Sequence, residues 1–265
     1  MNSILFFRAK CATTPAARLI CFPYAGGAAS IYRHWCSRLP NDVEIASIQL
    51  PGRETRFHEP LQAHINHLLS VIVPDIEQLI VDAPYALYGH SLGALIAFEV
   101  SRHIRRRNLS APRACIVSGR VAPDLPSTTR LNDLPDQLLI EGLRRFGGTP
   151  EEVLTNTDLM SILAPIIRAD LAVTENYDYY AEPPLATPIV ALGGKDDPVV
   201  PLAALQAWAK HTSGTFLIET FEGGHFFNFK APAPFLRSLT MYLTLAFPML
   251  SCDQEITLGS MPAPT

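Results

Sequence analysis

Short apolar runs alternate with longer helical stretches along most of this chain, and that rhythm constrains the fold more than anything else in the sequence. β-rich runs fall at residues 18–22 (RLICF), 43–49 (VEIASIQ), 85–89 (YALYG), 114–118 (ACIVS), 188–192 (PIVAL) and 215–220 (TFLIET). Several are apolar at nearly every position, as strands covered on both faces are. Helical patterns lie between them, at residues 30–39, 61–79, 92–107, 202–211 and 234–246. Strands alternating with helices predict an α/β fold, a mostly parallel sheet joined by right-handed crossovers. One stretch departs from the rhythm. Residues 123–184 hold no convincing strand, only helical pieces split by Pro126, Pro135, Gly147, Gly148, Pro150 and Pro165. That is too long for an ordinary loop, and it reads as a helical lid inserted over one edge of the sheet. The expected organisation is one domain over residues 1–250 containing this lid, then a disordered tail at 251–265 that lacks periodicity.

Composition removes several function classes. Hydrophobic residues make up 48% of the 265 and charged ones 17%, which excludes disorder as the main state. With 21 Lys and Arg against 25 Asp and Glu, the net charge is −4, so no global basic field points to nucleic acid. No apolar run is long enough for a membrane helix. The opening MNSILFFRAK lacks the basic n-region and small-residue cleavage site of a signal peptide. Cys11, Cys21, Cys36, Cys115 and Cys252 are widely spaced with no C-x-x-C pair, which argues against a disulfide framework or a zinc site. A cytoplasmic protein is expected.

The chemistry concentrates at Gly89-His90-Ser91-Leu92-Gly93, a G-x-S-x-G sequence that follows a predicted strand and opens a predicted helix. That context is what a nucleophile elbow requires: a strained serine, with glycines that let strand and helix approach closely. A serine hydroxyl needs a base to become a nucleophile. His225, in the glycine-flanked Phe221-Glu222-Gly223-Gly224-His225 after the last strand, has the right order and placement. His34, His58, His64, His67, His103 and His211 fall on helices or early loops, where solvated or capping roles are expected. His90 is expected to line the site. The acid comes from Gly193-Gly194-Lys195-Asp196-Asp197-Pro198, where Asp197 is favoured and Asp196 reads as its solvated neighbour. Three strands thus each deliver one member of a triad to the carboxyl edge of the sheet. For an oxyanion, backbone N–H donors are expected from Leu92 and from the loop Phe22-Pro23-Tyr24-Ala25-Gly26-Gly27, with Ala25 assigned and Gly26 the alternative.

FPYAGG, Pro51-Gly52-Arg53-Glu54, GHSLG followed by Ala97-Phe98-Glu99, the lid's Arg168-Ala169-Asp170 and the closing GGHFF together resemble type II thioesterases. These are the stand-alone α/β-hydrolases that accompany nonribosomal peptide and polyketide synthases. The resemblance runs from about residue 18 to residue 242; many relatives carry methionine where this chain has Leu92, which leaves the donated amide unchanged. It implies an α/β-hydrolase fold and hydrolysis of acyl or aminoacyl thioesters on the phosphopantetheine arm of carrier protein domains. Ser91, His225 and Asp197 would act as nucleophile, base and orienting acid, with no metal or cofactor beyond the arm carried by the substrate. The expected partners are acyl or peptidyl carrier domains, not nucleic acid or membrane, and a monomer is expected. Lid residues Leu138, Leu139, Phe146, Leu159, Ile162, Leu163 and Ile166 could roof a channel or pack the lid onto the body. The basic cluster Arg102, Arg105, Arg106, Arg107 and Arg113 could dock an acidic carrier or simply favour a helix C-terminus. Rival readings are a carboxylesterase or lipase, a chain-releasing fatty acid synthase thioesterase, an acyltransferase and a non-catalytic interaction protein.

Overall fold

The structure, a computed structural model, describes residues 4–7, 15–126 and 130–250, so the expected tail lies outside the described residues. Seven strands form one sheet: β1 (Ile4–Phe7), β2 (Ala17–Phe22), β3 (Val43–Ile48), β4 (Tyr85–His90), β5 (Cys115–Ser118), β6 (Ile189–Gly194) and β7 (Phe216–Phe221). Their order is β1-β3-β2-β4-β5-β6-β7. All pairs from β3 to β7 are parallel. β1 closes one edge antiparallel to β3, with Ile4 opposite Ile48. The sequence rhythm does not reveal β1, because four apolar residues are too few to show a period.

The central strands are buried at every position because helices cover both faces. Side chains alternate accordingly. Ile20 and Phe22 pack with α1 (Ile65–Leu79) and α2 (Leu92–Arg106) on one side. Leu19 and Cys21 pack on the other with the 3-10 turn Ala29–Trp35 and a C-terminal helix, Pro232–Ala246.

Between β5 and β6 the chain is helical, as the broken rhythm predicts: α3 (Asp136–Phe146), α4 (Glu151–Leu154) and α5 (Thr157–Glu175). They share a small core of Leu131, Leu139, Leu143, Leu154, Met160 and Ile167. Asn156 starts α5 by accepting from the Leu159 N–H at 3.0 Å. Pro165 does not split α5, contrary to expectation. It sits on the exposed face, where the carbonyl it deprives of a partner can meet water. Pro74 stands the same way in α1. Three further helices follow among the described residues: α6 (Leu202–Gln206), α7 (Phe227–Lys230) and α8, the Pro232–Ala246 helix. Three predicted helices are shorter than their patterns: α1 begins only at Ile65, the 30–39 stretch holds a 3-10 turn that ends at Trp35, and 202–211 break into α6 and a 3-10 turn at Ala207–His211.

Candidate active site

β4 runs into α2 through Ser91, whose backbone has φ 54° and ψ −112°. A side-chain-bearing residue rarely adopts such a conformation, and it persists only where its surroundings enforce it. The enforcement is close packing. A Cβ at Gly89 would lie 1.9 Å from the Gly93 carbonyl oxygen, and one at Gly93 would lie 2.1 Å from that of Phe22. The Ser91 N–H is held by the Ser118 carbonyl at 2.8 Å. Leu92 is the first residue of α2, so its N–H has no acceptor within the helix and lies at the positive end of the helix dipole.

His225 follows β7 and donates from Nδ1 to Asp197 Oδ2 at 2.7 Å. The second oxygen, Asp197 Oδ1, accepts from the Val199 N–H at 2.9 Å, which fixes the carboxylate. Both residues are buried, whereas Asp196 is exposed, its N–H donating to the Gly223 carbonyl at 3.0 Å. With Nδ1 committed, Nε2 is the ring nitrogen left to accept a proton. His225 and Ser91 line the same cavity, of about 80 Å³. The lid supplies part of its wall through Phe146, Leu171, Thr174 and Glu175.

The loop after β2 is pinned by a buried ion pair. Arg53 Nη1 and Nη2 bond Asp170 of α5 at 2.5 and 2.8 Å, and Arg53 Nη1 also donates to the Gly27 carbonyl at 3.1 Å. Asp170 Oδ2 accepts from the Gly26 N–H at 2.7 Å. The Gly26 amide is therefore spoken for. No acceptor among the described residues takes the Ala25 N–H.

A thioesterase domain family model matches residues 17–239. This chain belongs to the thioesterase family. The gramicidin S biosynthesis protein GrsT of Aneurinibacillus migulanus is 39% identical, over 91% of this chain and 94% of GrsT. Among solved structures, the RedJ thioesterase of the prodiginine pathway in Streptomyces coelicolor superposes with TM-score 0.82 at 35% identity, covering 90% of this chain and 95% of RedJ. YbtT, a type II thioesterase from the yersiniabactin NRPS/PKS pathway, gives TM-score 0.83 at 31% identity, over 92% and 99%. The α/β-hydrolase fold and thioester hydrolysis expected from the motifs hold.

Several expectations about this thioesterase need correction. His90 does not line the cavity: it is fully buried, its ring centroid 5.1 Å from that of His225. Its Nδ1 shares a hydrogen bond with Ser118 Oγ at 3.0 Å, and its Nε2 has no partner. Burial, with a smaller contribution from neighbouring His225, holds its pKa well below the ordinary imidazole value. His211 is buried rather than solvated, bonding Asp124 Oδ1 at 2.8 Å among Phe98, Tyr179 and Trp208. His103 pairs with Glu77, and His34, His58, His64 and His67 are exposed.

The basic cluster is occupied internally. Glu182 pairs with Arg102, Arg105 and Arg106, Glu99 also pairs with Arg102, and Glu77 with Arg107. α2 has 15 residues, so its basic end lies roughly 22 Å from Ser91. Arg113 stands exposed just before β5, at that same far edge. Of the lid residues, Phe146 lines the cavity, Leu139 and Ile166 are buried, Leu163 packs on the lid core, and Leu138, Leu159 and Ile162 face solvent. One residue of the cavity wall has no motif to announce it: Arg120, two positions after β5.

Proposed function

We propose that Ser91, His225 and Asp197 are the catalytic triad of this thioesterase, and that its substrates are short acyl or aminoacyl groups on the phosphopantetheine arm of acyl or peptidyl carrier domains. Removing them would edit or regenerate a peptide or polyketide synthase. The observation that carries this reading is a strained serine sharing one small cavity with a histidine whose Nδ1 is held by a buried carboxylate. Ser91 Oγ attacks the thioester carbonyl while its proton passes to His225 Nε2. Asp197 keeps the imidazole in the required tautomer and stabilises its charged form. The Ala25 and Leu92 N–H groups take the oxyanion. Collapse of the tetrahedral adduct breaks the C–S bond, and the proton on His225 goes to the departing thiolate. Water, deprotonated by His225, then attacks the acyl-Ser91 ester, and as the acyl–Oγ bond breaks that proton passes from His225 to Ser91 Oγ and the acid leaves. Every step uses groups of this chain. A cavity of about 80 Å³ suits an acyl group of a few carbons better than a medium-length chain.

The test loads a panel of acyl groups onto holo carrier protein and follows release with wild type and Ser91→Ala. Loss of release by about 10³-fold or more is expected; equal release by both proteins removes the mechanism. Faster turnover of nitrophenyl esters than of carrier-bound thioesters would point instead to a carboxylesterase, and a Ser91 unreactive to fluorophosphonate to a non-catalytic protein.

A further inference from the structure

Among the described residues, the buried arginines have carboxylate partners. Arg18 pairs with Glu44, Arg53 with Asp170, Arg56 with Glu59 and Arg102 with Glu99. Arg120 does not. Among the described residues nothing hydrogen-bonds or ion-pairs with its side chain, and its Nε is sealed from solvent without an acceptor. The carboxylates around it are committed elsewhere. Glu175, on the same cavity wall, accepts from the Leu131 and Asn132 N–H groups at 2.8 and 3.2 Å. Glu99 holds Arg102 and the Tyr177 hydroxyl, the latter at 2.6 Å. Burial pulls the Arg120 guanidinium down to about 10, which still leaves it charged at neutral pH.

The position is built, not incidental. Arg120 stands just beyond β5, between the strand that presents Ser91 and the one that presents Asp197. Its carbonyl accepts from Trp208 Nε1 at 2.9 Å, and the preceding Gly119 N–H is held by the Leu192 carbonyl at 2.8 Å. A desolvated cation without a partner is costly unless something that enters the site completes it. In so small a cavity the entering group lies close to the reacting carbonyl.

We propose that Arg120 is a specificity-determining residue of this thioesterase, and that it takes acyl groups bearing an oxygen acceptor, a keto or carboxylate oxygen, near the β-position. This rests on the proposed reading of Ser91 and its cavity as the acyl site. A plain alkyl chain would offer the guanidinium no acceptor, whereas an oxygen near the β-position would complete it. A site built around a polar partner rejects analogues that lack it far more strongly than an apolar pocket rejects a misfit.

The test compares butanoyl, acetoacetyl and malonyl pantetheine as substrates of wild type, Arg120→Met and Arg120→Lys. In the wild type, kcat/KM for at least one oxygenated thioester exceeds that for butanoyl by about tenfold or more. In Arg120→Met that ratio falls by about tenfold or more, as loss of a charge-assisted hydrogen bond predicts, and Arg120→Lys restores part of it. A malonyl preference alone identifies an anionic group; preference for both identifies any oxygen acceptor. A wild type that prefers butanoyl overturns the proposal whether or not the variants fold, and so does a ratio that Arg120→Met leaves unchanged. If the wild type hydrolyses none of the three and fluorophosphonate leaves Ser91 unlabelled, the reading of the cavity itself fails and this proposal falls with it.

Discussion

Two aspartates stand side by side at the end of β6, and the difference between them is set by what surrounds each carboxylate. Asp197 is buried with both oxygens engaged, one by His225 and one by a backbone amide. Asp196 is exposed. Asp197→Asn keeps the shape but offers an amide where the imidazole needs an acceptor for its Nδ1–H, so kcat is expected to fall about 10³- to 10⁴-fold. Asp196→Asn is expected to leave kcat within about twofold, as surface changes do. Steady-state hydrolysis of a short acyl thioester measures both, and a larger loss at Asp196 would reverse the assignment. The residues of this site that sequence makes legible are those tied to a strand end and a glycine: Ser91, Asp197 and His225. Arg120 is not legible, because an arginine in a loop is ordinary until its lack of a partner is seen. His90 is illegible for a related reason: its position in the motif says nothing about which way its ring turns, and the ring turns inward beside His225.

At the scale of elements, the tie between Arg53 and Asp170 joins three segments distant in sequence: the loop after β2, the loop after β3 and lid helix α5. Its carboxylate both neutralises a buried arginine and holds the Gly26 amide, next to the one assigned to the oxyanion. Asp170→Asn leaves Arg53 buried without a counter-charge, which is expected to lower the unfolding free energy by about 3 kcal/mol. The apolar double variant Arg53→Met with Asp170→Leu should recover much of that stability, since buried pairs can be replaced by packed side chains. It should not recover kcat, expected to stay about tenfold or more below wild type, because the Gly26 N–H then has no acceptor and the loop loses its register. Chemical denaturation and kcat on one acyl thioester separate the effects; recovery of both together would make the tie purely structural. The motifs FPYAGG, PGRE and RAD are readable in the sequence one by one, but that they meet at a single carboxylate depends on how the lid folds back over the sheet. β1 and the continuity of α5 through Pro165 were illegible for simpler reasons. A four-residue edge strand has no period, and a proline on an exposed helix face breaks less than its reputation suggests.

For the whole molecule, the parallel sheet decides where the chemistry goes, because the loops after β2, β4, β5, β6 and β7 all open at the same edge; those after β4, β5 and β7 bring Ser91, Arg120 and His225 to one cavity, with Asp197 bonded to His225. Filling the space behind that edge has a consequence for stability. His90, wedged behind His225, and His211, between Trp208 and Asp124, are both buried, and burial lowers both pKa values below the ordinary 6.5. The unfolded chain therefore binds protons near pH 6.5 that the folded chain refuses. Both histidines contribute stability that is fully present above pH 6.5 and is lost as pH falls below it toward their folded values. Each excluded proton steepens the decline by about 1.4 kcal/mol per pH unit. Between pH 6.5 and 5.5, above the range where ordinary carboxylates titrate, these two buried rings should dominate the slope. Replacing His90 with Gln, which keeps a polar side chain near Ser118, should remove about 1 kcal/mol from the stability lost between pH 6.5 and 5.5, whatever it does to stability at pH 8. Urea denaturation of wild type and His90→Gln at pH 8.0, 6.5 and 5.5 reads the difference directly, and parallel curves for the two proteins would mean that His90 is protonated in the folded state.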